Sequence, residues 1–371
     1  MYLFHQGRHT RQAHVGLPEN SFEEEYGRDG FFGPVSHIYH RHPPTDWLRF
    51  EGPLRPHAFD FLKTSPPDLD DPRGEPLKLL YNNDVAVHFS QRALSMPFYR
   101  RNADADEVHF VHEGKGSIET DFGVLDFETG DYLVLPRCTT WRADQTSARV
   151  VTLIIEAFSR VRVPSAAEKG LIGMHALFDP SAVTLPRLPE DYDERPGIEH
   201  EIMIKRGGMR TSMFFPFNPL DAMGWKGDLF PWKINVRDIR PVMSHRVHLP
   251  PPAHTTFLMR NAVVCTFLPR PLEEEADALK VPFYHRNADY DEMIFYHSGD
   301  FFSRDNIKPG MATLHPTGFQ HGPHPGALAK QAQLARTEEI AVMLDTVDPL
   351  HISRAAEDVE WKEYWASWIR K

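Results

Sequence analysis

The stretch FYHRNADYDEMIFYHSG (283–299) repeats FYRRNADADEVHFVHEG (98–114) position for position, with no gap. A chain that carries one such unit twice is expected to fold each copy into a comparable structure. The copies differ where chemistry is concentrated. Arg100 stands where His285 stands in the second copy, while Glu107 and Glu292 are both kept. Further on, Pro136-Arg-Cys138-Thr-Thr-Trp141 takes the place of Pro316-Thr-Gly318-Phe-Gln-His321. The second copy thus keeps two histidines and a carboxylate at the spacing by which a small β-barrel holds one metal. The first copy has lost both histidines. Arginine is no ligand at neutral pH and the indole offers no lone pair, so an Arg100–Glu107 ion pair filling a dead site is expected there.

With 371 residues the chain can bury two cores of ordinary size. Strand-like segments recur at short intervals: 85–90, 107–114, 116–122, 130–136 and 149–158, then a second block from about 211. Each is rich in β-branched or aromatic residues and bounded by Gly, Pro or Asp. The expected division is an irregular N-terminal arm (1–50), a barrel without metal plus a connecting region (51–200), and a catalytic barrel (201–371). Val359, Trp361, Tyr364, Trp365 and Trp368 fall near helical spacing and predict a C-terminal helix whose aromatic stripe packs.

A net charge of −11 with no offsetting basic stripe argues against nucleic-acid and acidic-membrane partners. It also gives an anionic substrate no long-range attraction, so such a substrate must be captured locally. No apolar run reaches membrane length, and no secretory signal is visible at the polar N-terminus. The only cysteines are Cys138 and Cys265. A reducing, cytoplasmic setting is expected.

His285 and Asn287, two apart on a strand, point to one face. The turn-like NADYD then reverses the chain so that Glu292 faces back. H-x-N-x4-E-x6-G, ending at Gly299, resembles the first cupin motif, and P-x-G-x2-H (316–321) resembles the second. The pair implies a mainly β bicupin: two double-stranded β-helix (jelly-roll) barrels with an N-terminal arm and a C-terminal helix. Two imidazoles and a carboxylate with open positions suit non-haem Fe(II) and O2 chemistry. The same set also suits catalytic zinc.

Longer stretches resemble the homogentisate 1,2-dioxygenase family. They are Pro282-Phe-Tyr-His285-Arg-Asn287 to Glu292, LHPTGFQHGPH (314–324), GWKGDLFPWK (224–233), FNP…D (217–221) and, more loosely, LPENSFEEEYGRDGFFGP (17–34). The resemblance implies an Fe(II) enzyme that opens an aromatic ring with both atoms of O2. His285, Glu292 and His321 would be the ligands, and His248 an acid/base for the substrate hydroxyl. It implies for His315 an outer-shell or substrate contact, for His324 a surface or outer-shell place, and for the chain a trimer or hexamer. The His37, His40, His42 cluster has no carboxylate at ligand spacing and is read as structural.

Two departures stand out. The interval from His285 to Glu292 is one residue longer than is usual in the family. Where the family has a tyrosine that holds the substrate carboxylate, nine residues after the glutamate, this chain has Phe301. Arg286 or Tyr296 could supply the lost contact. The alternatives to a dioxygenase of homogentisate or a related hydroxylated aromatic acid are a non-enzymatic small-molecule-binding bicupin and a Zn or Mn cupin acting as isomerase or hydrolase.

Overall fold

The computed structural model describes residues 4–165, 168, 177–280, 283–331 and 333–369. Pro282 of the ligand segment lies outside them. The first strands are β1 (Phe22–Gly27), β2 (Val35–His40), β3 (His57–Asp60), β4 (Leu77–Tyr81), β5 (Val85–Arg92) and β6 (Tyr99–Asn102). Next come β7 (Asp106–Glu113), β8 (Lys115–Thr120), β9 (Gly123–Glu128), β10 (Asp131–Leu135), β11 (Thr140–Gln145) and β12 (Val150–Ala157). After the connection follow β13 (His200–Arg206), β14 (Met209–Phe215), β15 (Trp232–Asn235), β16 (Thr255–Met259), β17 (Ala262–Phe267) and β18 (Arg270–Pro271). The last are β19 (Tyr284–Asn287), β20 (Asp291–Ser298), β21 (Met311–His315), β22 (Gln320–His321), β23 (Arg336–Thr337), β24 (Ile340–Thr346) and β25 (His351–Ile352).

These strands build a bicupin. The first barrel faces the sheet β15-β10-β7-β12-β5-β4-β25 against β14-β13-β6-β11-β8-β9. The second faces β16-β17-β24-β20-β21-β3 against β2-β1-β19-β22. β9, GVLDFE, alternates buried with less buried residues as an outer strand should. By contrast, β12, VVTLIIEA, is buried along its whole length because its sheet is covered on both faces.

The repeat reaches further than the sequence similarity. β6 and β19 occupy equivalent places, since Trp141 pairs with Arg100 as His321 pairs with His285. Beside β19 runs β1 in parallel, with β2 returning antiparallel. Beside β6 run β13 and β14 in the same two senses. β3 closes on β21 of the second barrel, and β15 closes on β10 of the first. Each half of the chain therefore lends its leading hairpin and the next strand to the other half's barrel. Two of the expected boundaries need correction. The arm 1–50 contains a paired hairpin of the second barrel, and residues 200–235 belong by pairing to the first. These partners lie far apart in the chain, so no local pattern records them.

The two barrels share one core in which repeat-equivalent residues meet. The equivalent Phe110 and Phe295 lie 6.5 Å apart between centroids, and beside them Tyr132 of one barrel sits edge-on to Phe257 of the other at 5.2 Å. His112 and His297, also equivalent, join Nδ1 to Nδ1 at 2.9 Å. Burial lowers both imidazoles to about 4, so the pair is neutral near pH 7, with one tautomer donating and the other accepting. The expected single C-terminal helix does not form: an α-turn at Arg354–Glu357 and a 3-10 turn at Tyr364–Trp368 stand there, with Val359 and Trp361 in neither. Tyr364 and Trp368 are buried, as their stripe predicts.

Candidate metal centre

His285 on β19 and His321 on β22 face each other as a cross-strand pair, with rings 3.9 Å apart. Glu292 rises from β20 on the facing sheet. Its Oε2 lies 3.7 Å from His285 Nε2 and 3.5 Å from His321 Nε2. The ligand atoms of all three lie within 4.8 Å of one another. Burial alone would raise the Glu292 carboxyl, but His321, His285 and His315 outweigh it and hold the group well below the usual range. The group is therefore an anion facing two imidazoles. His321 Nε2 is buried and has no hydrogen-bond partner among the described residues. Leaving such a nitrogen unsatisfied costs about 1–3 kcal/mol, a cost that a bond to a metal removes. The donor set fits a borderline divalent ion.

Behind the carboxylate stands His315. Its Nδ1 lies 2.9 Å from Glu292 Oε1 and its Nε2 lies 3.2 Å from the Tyr364 hydroxyl. Burial lowers this imidazole to about 3, so it is neutral and can donate through Nδ1–H while Nε2 accepts from Tyr364. That chain orients Glu292 and leaves Oε2 directed at His285 and His321. His315 is fully buried and does not line the cavity, so the structure places it behind the ligand and not at a substrate.

A largely apolar cavity opens on His285 and Glu292. His248 lines it, with Nδ1 3.4 Å from Glu273 Oε1 and its ring edge-on to Phe283. Burial lowers its pKa and Glu273 only partly offsets this. An Nδ1–H directed at Glu273 leaves the Nε2 lone pair available as a base. His248 is thus a cavity residue, not a surface histidine. Tyr296 also lines the cavity and touches Thr313 through its hydroxyl at 3.3 Å.

Two other expectations are corrected. Arg286 points away toward the N-terminal hairpin, pairing with Glu24 at 3.1 Å and covering the Tyr26 ring. Phe301 packs behind Tyr296 at 4.9 Å and does not line the cavity. His324 is buried, accepting from the Asp305 amide at 2.9 Å. Sequence reasoning missed Arg270, Arg304 and Glu339, all of which line the cavity and are largely buried. Arg304 donates to the Gly322 carbonyl at 2.7 Å, and its buried Nε has no hydrogen-bond partner among the described residues. A single arginine in SGDFFSRDN has no spacing that marks it as a wall residue.

At the twin site the carboxylate is taken up by protein groups. Trp141 Nε1 donates to Glu107 Oε2 at 3.1 Å and Asn102 Nδ2 donates to Oε1 at 3.0 Å. Arg100 stands 3.8 Å from Glu107, as expected, yet its closest carboxylate is Glu75 at 2.7 Å.

Sequence models of the homogentisate 1,2-dioxygenase N-terminal and C-terminal regions match residues 77–236 and 252–370. A protein of Saccharolobus solfataricus, named provisionally as a dioxygenase, is 32% identical over 388 residues, covering 99% of each chain. The chain belongs to the homogentisate 1,2-dioxygenase family. A homogentisate 1,2-dioxygenase of Nitrobacter hamburgensis is 26% identical over 72% of this chain and 62% of its own length. Among solved structures, a cupin 2 barrel protein from Leptotrichia buccalis is 10% identical, covering 78% of this chain and 96% of its own, with a TM-score of 0.34. An oxalate decarboxylase of Bacillus subtilis is 12% identical, covering 84% and 81%, with a TM-score of 0.37. At these scores the superpositions carry no functional argument. Family membership makes the protein a dioxygenase-type oxidoreductase that acts on a small molecule and O2. Among the described residues no helix is long and apolar enough to cross a membrane.

Proposed function

We propose that the protein is an Fe(II)-dependent dioxygenase that opens the ring of homogentisate or a closely related hydroxylated aromatic acid. The observation that carries this reading is the convergence of His285, Glu292 and His321, with His285 and Glu292 opening on a largely apolar cavity that the base His248 also lines. Iron(II) held by those three residues would supply the O2 and redox chemistry. The protein does the rest. His315 fixes Glu292 so that one oxygen stays directed at the site. His248 Nε2 accepts the proton of a substrate hydroxyl, with Glu273 holding the ring in place. Phe283, Ile294 and Phe302 line the cavity and give it the apolar surface that suits an aromatic ring. Arg304 and Arg270 supply positive charge inside the cavity, which suits a substrate carboxylate that the acidic surface cannot attract.

Substituting Glu292→Ala is expected to abolish iron retention and O2 uptake together. Iron analysis of anaerobically purified protein and an oxygen electrode with homogentisate, gentisate and plain hydroquinones provide the test. Unchanged oxygen consumption by E292A would overturn the reading.

A further inference from the structure

A second cluster of donors lies in the N-terminal hairpin, outside the centre just described. We propose that His14, Glu25 and His37 form a second site for a borderline divalent cation such as zinc, with Glu23 orienting His14. Glu25 Oε2 lies 3.2 Å from His14 Nε2 and 3.2 Å from His37 Nε2, so two imidazole nitrogens from separate segments converge on one carboxylate oxygen. His14 Nδ1 lies 2.6 Å from Glu23 Oε1. A proton on Nδ1 donated to Glu23 leaves Nε2 as the ligand atom, the carboxylate–histidine arrangement that orients metal ligands elsewhere. The side chains are largely buried, and only His37, 18% exposed, opens to solvent as a path of entry.

The hairpin explains the geometry. β1 and β2 pair so that Glu25 sits opposite His37, which brings the two side chains to one face. Glu23, two residues before Glu25, shares that face. His14 is brought in by a bridge between Val15 and Ala278, and its ring lies 4.4 Å from Phe283. Glu23 and Glu25 bring two carboxylates to the two imidazoles, a donor set that a divalent cation matches in charge.

The twin hairpin supplies an independent comparison. Glu25 is in register with His285 as Met203 is with Arg100, and Glu25 faces His37 as Met203 faces Ser212. The barrel that lost its main ligands therefore also carries methionine and serine where this cluster has glutamate and histidine.

The competing arrangement uses the same atoms without a metal: a protonated His14 bridging Glu23 and Glu25. Metal stoichiometry separates the two. The full-length chain, stripped with a chelator, is titrated with Zn2+ and with Co2+, and bound metal is counted by elemental analysis after gel filtration. The expected result is two equivalents for the wild type, one for H285A/H321A and one for H14Q/H37Q. The Co2+ absorption of H285A/H321A should report the second site alone. His37→Gln by itself, at the most exposed ligand, should weaken that site at least tenfold without unfolding the hairpin, and Glu23→Gln by roughly 10–100-fold. A wild type that holds one equivalent overturns the proposal whether or not any variant folds. So does an H14Q/H37Q protein that holds two.

Discussion

At the scale of single residues, the candidate centre depends on groups outside its donor triad. His315 contributes one hydrogen bond to Glu292 and receives one from Tyr364. Replacing His315 with Gln should keep the fold and lower metal affinity by roughly 10–100-fold, as read by competition with a chelator. An unchanged affinity would show that Glu292 needs no such support. Arg304 predicts a different signature. A hydrogen bond to a charged group contributes about 1.5–3 kcal/mol, so Arg304→Gln should raise KM for a carboxylated hydroquinone roughly 10–100-fold. KM for a hydroquinone lacking the carboxylate should stay where it was. Equal effects on both substrates would assign Arg304 to the wall alone. His285, Glu292 and His321 were legible from spacing because each motif lies within a strand or across a short turn. Arg304 was not, since its place in the cavity depends on how the loop after β20 folds back over the barrel.

Among the elements, the turn after β20 shows why the first motif ends in glycine. Gly299 has φ +94, and a Cβ there would lie 1.8 Å from the Glu338 carbonyl oxygen. Its repeat partner Gly114 has φ +96, with the Arg149 carbonyl oxygen 2.5 Å from the same point. Both copies need a left-handed residue that the neighbouring chain can approach closely. Gly299→Ala should therefore destabilise the protein by on the order of 2 kcal/mol or more, seen as a lower urea midpoint. A midpoint within error of the wild type would show that the turn can relax. The leading hairpins are the part of the fold that strand periodicity left unread. EEEYG in β1 looks like a charged surface run, yet Glu23, Glu24 and Glu25 are all buried, each beside a histidine or an arginine from elsewhere. The histidine cluster was read as lacking carboxylates because they come from across the hairpin, 12 residues from His37 and 16 from His40.

For the whole molecule, the exchange of hairpins ties the two barrels together, and the boundary we propose lies between 236 and 252, where the matches to the two family regions also part. The His112–His297 contact sits in the shared core and gives it a pH dependence. Both imidazoles are lowered to about 4 in the folded protein by burial, against about 6.5 for an unfolded chain. Below 6.5 the unfolded state binds more protons than the folded one, so stability falls as pH drops from about 6.5 to about 4 and is fully present above that window. The loss is on the order of a few kcal/mol for the pair. Urea midpoints at pH 7.5, 5.5 and 4.5 should show it, and H112Q/H297Q should flatten the decline. A double variant as acid-sensitive as the wild type would place the effect elsewhere.

The residue pattern alone was enough for the duplicated unit, the β-barrel class, the family resemblance and the spacing that brings His285, Glu292 and His321 together. All of these rest on repeats or on short spacings, where the two-residue period of a strand and a tight turn leave little freedom. Tertiary structure alone decided which barrel each hairpin joins, that His315 braces Glu292 while His248 faces the cavity, that Arg304 and Arg270 enter it, and that the N-terminal histidines meet glutamates. Those outcomes depend on pairing between segments as much as 260 residues apart, for which a linear sequence holds no local record.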